Sequence, residues 1–176
     1  MTKRSAVLFA ASLLLLLFTQ AQAQAQDGAV PKTPPTPAQI YLENWNNIGR
    51  KLTAMAAEFP EDKYDYRPSP EVRTFAEQLL HVVSSNMYVA KTARGEKVEF
   101  PDLKRADYTT KASIVDAMKQ SVADGAAAIK DNSDDQVRKR TGLLVGFLEH
   151  SGEHYGQLVV YYRLNGIVPP ESRPKK

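Results

Sequence analysis

Four long segments of this chain carry apolar residues at three- and four-residue steps, and each ends at a helix breaker. Ile40, Trp45, Ile48, Leu52 and Met55 predict a helix from after residue 37 to about 58, where Phe59-Pro60 closes it. Phe75, Leu79, Leu80, Val83, Met87 and Ala90 predict a second. It begins near Thr74, has Glu77 three residues on to complete a capping box, and ends before Gly95. Ile114, Val115, Met118, Val122 and Ile129 place a third over about 111–130, stopped by Asp131-Asn132-Ser133. Leu144, Phe147, Leu148, Leu158, Tyr161 and Tyr162 place a fourth over about 141–164, ended by Asn165-Gly166 and Pro169-Pro170. Residues 60–70 are too dense in proline for a regular element, and 98–108, which holds Pro101, is a second irregular stretch. No convincing strand alternation and no internal repeat is present. The expected fold is all-α, an antiparallel four-helix bundle.

The N-terminus has different grammar. Lys3 and Arg4 precede an apolar run over 6–18, and Ala21-Gln22-Ala23 and Ala23-Gln24-Ala25 offer small-x-small cleavage sites. Thirteen residues fall short of the roughly 20 a membrane-spanning helix needs. The reading is a signal peptide over 1–25, a Pro/Ala-rich linker over 26–37 and the bundle domain over 38–176. The protein is therefore expected to be exported, periplasmic or secreted, without stable membrane insertion once the signal is removed. The chain has no cysteine, which removes disulfides, thiolate ligands and thiol nucleophiles. Two of the 23 basic residues lie in the signal, leaving 21 against 20 acids. That near-neutral balance, with no aromatic-basic interleaving, gives no case for nucleic acid.

Only three histidines occur, and all fall in predicted helices: His81, His150 and His154. A four-residue step stacks His150 and His154 on one helix face, the geometry for sharing a divalent ion. His81 from a neighbouring helix would complete the set and leave the remaining coordination positions open. Burying imidazoles costs free energy unless each finds a partner, and one ion serves all three. The alternative places the pair at a solvent rim, bonded to water or carboxylates. The spelling His150-Ser151-Gly152-Glu153-His154 also matches the HxxEH pattern of inverzincins. That chemistry needs a further acidic ligand well downstream on another helix, and the one later acid, Glu171, sits in a Pro-flanked tail.

Several segments together resemble the DinB-like (DinB/YfiT-like) superfamily. They are Tyr66-Arg67-Pro68, the run from Arg73 through Thr74-Phe75-Ala76-Glu77-Gln78-Leu79-Leu80-His81 to Val82, and His150-x-x-x-His154-Tyr155-Gly156-Gln157-Leu158, with the close from Leu164-Asn165-Gly166 to Ser172. The resemblance spans the chain from the first helix onward. It implies a four-helix bundle, often a homodimer, with a divalent metal on three histidines that map to His81, His150 and His154. Characterised relatives include metal-dependent thiol transferases using low-molecular-weight thiols and a maleylpyruvate isomerase. The export signal departs from them and puts a thiol cosubstrate in doubt, because such thiols are chiefly cytosolic.

Two functions follow from these residues. One is a metal-dependent transferase or hydrolase acting on a small molecule. Three neutral imidazoles leave zinc or nickel with open positions, able to lower the pKa of a bound water or hold a thiolate nucleophilic. Glu153 is a weak candidate as a base or as a partner to a ligand ring, with exposed helix carboxylate as its plain reading, and Gln157 is a candidate for a hydrogen bond that orients either a ligand ring or the substrate. Glu77 has an orienting reading beside its capping one. Gly152 and Gly156 would admit a neighbouring helix or a ligand, helix packing being the expected reason. The other function is a non-catalytic, metal-stabilised binding or scaffold protein. An exchangeable water marks the first, and closure by a fourth protein ligand marks the second.

Overall fold

Each long helix starts where a side chain can serve its unpaired N–H groups. In a computed structural model describing residues 33–174, α1 spans Pro37–Glu58, with Thr36 and Gln39 exchanging the two hydrogen bonds of a capping box. α2 spans Phe75–Ala93 behind the Thr74–Glu77 box, with N···O distances of 2.7 and 3.1 Å. α3 spans Lys111–Lys130 behind a Thr110–Ser113 pair. α4, Asp134–Lys139, is a short helix that the periodicity did not announce, capped by Ser133 with Gln136. α5 spans Thr141–Leu164 and has no side-chain cap. Each N-cap side chain is worth about 1 kcal/mol. Among the described residues there is no strand.

The four long helices touch in the cyclic order α1, α3, α2, α5. α1 and α3 run in opposite senses. Trp45 near the start of α1 donates to the Val122 carbonyl in α3 at 2.8 Å, while Phe59 at its end receives the Lys111 ammonium at 2.8 Å. α2 and α5 also oppose each other, with Arg73 beside Tyr161 and His81 beside His150. α2 and α3 run the same way: Asn86 donates to Ser121 at 2.8 Å, and further along Asn132 donates to the Ala93 carbonyl at 3.1 Å. α1 and α5 likewise match, from Trp45 on Phe147 to Met55 beneath Tyr162. The expected alternation of sense thus fails for consecutive helices α2 and α3. The connector over 94–110 is long enough to carry the chain back to the end from which α2 began.

Close approach of α1 to α3 depends on glycine. A Cβ on Gly125 would lie 1.8 Å from Trp45 Cζ2, and one on Gly49 would lie 2.5 Å from Val122 Cγ1. The core at the other end is aromatic: Phe59 stacks on Phe75 at 3.9 Å between centroids, with Tyr64 and Tyr162 around them. The Tyr64 and Tyr162 hydroxyls donate to the Ala56 and Met55 carbonyls at 2.6 and 2.7 Å; the first satisfies an acceptor that Pro60 cannot serve, and the second adds to the bond Met55 already receives from the Phe59 N–H. Ile40, expected on the inner face, is 45% exposed on the first turn of α1. The signal and most of the linker lie outside the described residues. No helix among the described residues is long and apolar enough to cross a membrane.

Candidate metal centre

The helical phase of two opposed elements brings the three histidines together. His81 lies on the second turn of α2, at a register set by the Thr74–Glu77 cap, and His150 and His154 lie one turn apart on α5. His150 Nε2 is 3.2 Å from His81 Nε2 and 2.9 Å from His154 Nε2. His154 is buried and the other two are half-buried. The group contains no carboxylate, and its ligand atoms all lie within 4.8 Å of one another.

Two glutamines orient the deepest ring. Gln157 Oε1 lies 3.0 Å from His154 Nδ1. An amide oxygen only accepts, so this bond forms with the proton on Nδ1, the tautomer that turns the Nε2 lone pair toward the other rings. Gln78 from α2, itself buried, places its amide nitrogen against both Gln157 Oε1 and His154 Nδ1; with Nδ1 protonated, its donor serves the Gln157 oxygen. His150 Nδ1 is enclosed without a partner among the described residues.

This donor set suits a cation. A nitrogen-ligated ion with bonds of about 2.0–2.1 Å spaces its ligand atoms about 2.9 Å apart at right angles and about 3.4 Å apart at the tetrahedral angle. The observed 2.9 and 3.2 Å fall in that interval. Without an ion, three ring nitrogens compete for each other's few protons. Electrostatics keep the rings neutral. Burial first, then the Arg73 guanidinium and the neighbouring rings, push His81 down to about 4. Burial and His150 bring His154 to about 4 against the opposing bond from Gln157. Burial also lowers His150, partly countered by Glu153.

The other expected residues divide. Gln157 reaches His154, whereas Glu153 is exposed and touches the site only through its charge. Glu77 accepts from the Thr74 N–H and from Arg67, which is its capping role. Gly152 and Gly156 have open space where a Cβ would stand, as do Gly142 and Gly146, so no helix of this chain explains them. Sequence reading missed Gln78, although a polar residue between Phe75 and Leu79, three residues before His81, marks an inward polar position. It also missed Arg73, which precedes the helix and so carries no periodic signal.

Helices joined across three convergent imidazoles define a helical protein with a site that could bind a divalent metal. A sequence model of the DinB superfamily matches residues 45–158, and the chain belongs to that superfamily. No curated protein matches it.

Proposed function

We propose that this is an exported, divalent-metal-dependent enzyme, a transferase or hydrolase acting on a small molecule, with zinc or nickel held by His81, His150 and His154. One observation carries the reading: three Nε2 atoms converge without any carboxylate, and His81 also lines a cavity of about 420 Å³. A bound cation would supply Lewis acidity toward a substrate oxygen or sulfur. The chain's own residues do the rest. His81 and His150 present neutral donors at the rim, and Gln157 fixes the tautomer of His154. Gln78 holds Gln157 in place, and Phe100, its ring centroid 5.7 Å from that of His81, shields one side of the mouth. The reading as a metal-stabilised scaffold draws on the same atoms, since an ion there would tie α2 to α5. An exchangeable coordination position separates the two.

Export rests on the charged start, apolar run and paired cleavage sites of the sequence. A homodimer rests on the family resemblance and on the outward face of α5, where Val145 and Val160 are about half exposed among the glycines.

Purified protein should hold about one divalent ion per chain, and His81→Ala and His154→Ala should each abolish it. Full occupancy in either variant refutes the ligand assignment. The mature N-terminus should fall near Gln24 or Gln26 in mass spectra of the exported fraction, and a full-length chain held in the membrane would refute cleavage.

A further inference from the structure

We infer that the substrate of this site is a small acid whose carboxylate or phosphate pairs with Arg73, its apolar part lying against Phe100. The inference rests on the metal reading proposed above and extends it to the chemistry of the ligand. Arg73, His81 and Phe100 line the same cavity of about 420 Å³, and Arg73 also lines an adjoining cavity of about 690 Å³ beside Gln78 and Gln157.

Charge bookkeeping around the cavity singles this arginine out. Arg67 pairs with Glu77 at 3.4 Å, Lys104 pairs with Asp102, and Arg105 pairs with Asp65 at 2.8 Å. Glu71 accepts from the Ser69 hydroxyl at 2.6 Å. Among the described residues, Arg73 alone of these charged side chains has no hydrogen bond or ion pair. Its backbone carbonyl is fixed, because Tyr161 donates to it at 2.5 Å, so the guanidinium hangs from an anchored stem. Its positive field reaches all three imidazoles.

An unpaired guanidinium is an odd neighbour for a cation site. The three ligands are neutral, so an ion would keep its full double charge beside that of Arg73. Among the described residues, Glu71 is the one acid lining the cavity without a cationic partner; it accepts from the Ser69 hydroxyl rather than pairing with Arg73, and its single charge leaves the sum positive. A ligand anion is the missing counterpart, and a planar guanidinium binds carboxylate or phosphate through two parallel N–H···O bonds. Phe100, 49% exposed, stands on the wall shared with an apolar cavity lined by Tyr88, Leu143 and Phe147. An acid with an aromatic or aliphatic body fits between these walls.

Binding of benzoate, phenyl phosphate and the neutral isostere benzamide tests this by calorimetry. Full-length mature protein would be used, both metal-loaded and metal-stripped, as wild type, Arg73→Gln and Arg73→Lys. The metal content of each sample is measured first. Loss of the ion in wild type sinks the metal reading alone, because the stripped protein still reports on Arg73. At least one of the two acids should bind wild type, the preferred one identifying the head group, and benzamide should bind weakly to all three proteins. Arg73→Gln should weaken the acid about tenfold or more in both metal states, as expected for losing charge-assisted bonds. Arg73→Lys should fall between, keeping charge but losing the fork. Equal affinity of wild type and Arg73→Gln for the acid, or benzamide binding wild type as tightly as benzoate, overturns the inference. So does failure of both acids to bind wild type.

Discussion

Glycine substitutions at two kinds of position should move stability in opposite directions. Gly125→Ala adds a methyl where Trp45 Cζ2 would be 1.8 Å away. Trp45 cannot step aside cheaply, because it stacks on Phe147 at 4.4 Å and donates to the Val122 carbonyl at 2.8 Å. Overpacking costs about 1–3 kcal/mol and a lost hydrogen bond about 1 kcal/mol, against roughly 1 kcal/mol regained in helix propensity. The net is about 2 kcal/mol of destabilisation. Gly156→Ala meets nothing within 4 Å and should keep the whole gain of about 1 kcal/mol. For a domain of this size, that separates the two variants by roughly 10 °C in melting temperature, read by circular dichroism at 222 nm on dilute metal-free protein. A Gly125→Ala protein as stable as wild type would refute the packing argument. A destabilised Gly156→Ala protein would mean that the outer face of α5 is covered, and a concentration-dependent melting temperature would identify a second copy as the cover.

Acid should weaken the metal-free fold. His81 and His154 titrate near 4 when folded and near 6.5 when unfolded, so the unfolded chain binds more protons between those values. Stability is complete above about pH 6.5 and falls as pH drops toward 4, and urea melts that do not change across this window would contradict it. Chelation should lower the melting temperature, since free ion at 100 times its Kd stabilises by about 2.7 kcal/mol; an unchanged melt after verified metal removal would count against ligation. Gln157→Leu removes the acceptor on His154 Nδ1 and should weaken metal affinity about 10–100-fold with little loss of helix content, measured by competition with a chromophoric chelator. Equal affinity would show that the glutamine does not orient the ring.

Helix boundaries were legible because the determinants are local. Thr74 with Glu77, and Asn165-Gly166 with the prolines beyond, act within one turn of the ends they set. Convergence of the histidines was half legible: the step from His150 to His154 is helical arithmetic, whereas the approach of His81 depends on which helices become neighbours. The shared sense of α2 and α3 was not legible, since apolar spacing says which face is inward but nothing about direction. Gln78 and Arg73 escaped for a related reason. Each acquires its role from atoms on α5 or across a cavity, far away in the chain.

The return crossover between α2 and α3 supplies residues 100–105 to the cavity wall, while the helices supply the imidazoles. Insertions in such a strap cost little, because closure entropy grows only logarithmically with length. Part of the cavity wall is therefore written in a segment separate from the helices that carry the imidazoles. Changes of length or sequence in the strap can reshape that wall while leaving the bundle and its histidines untouched.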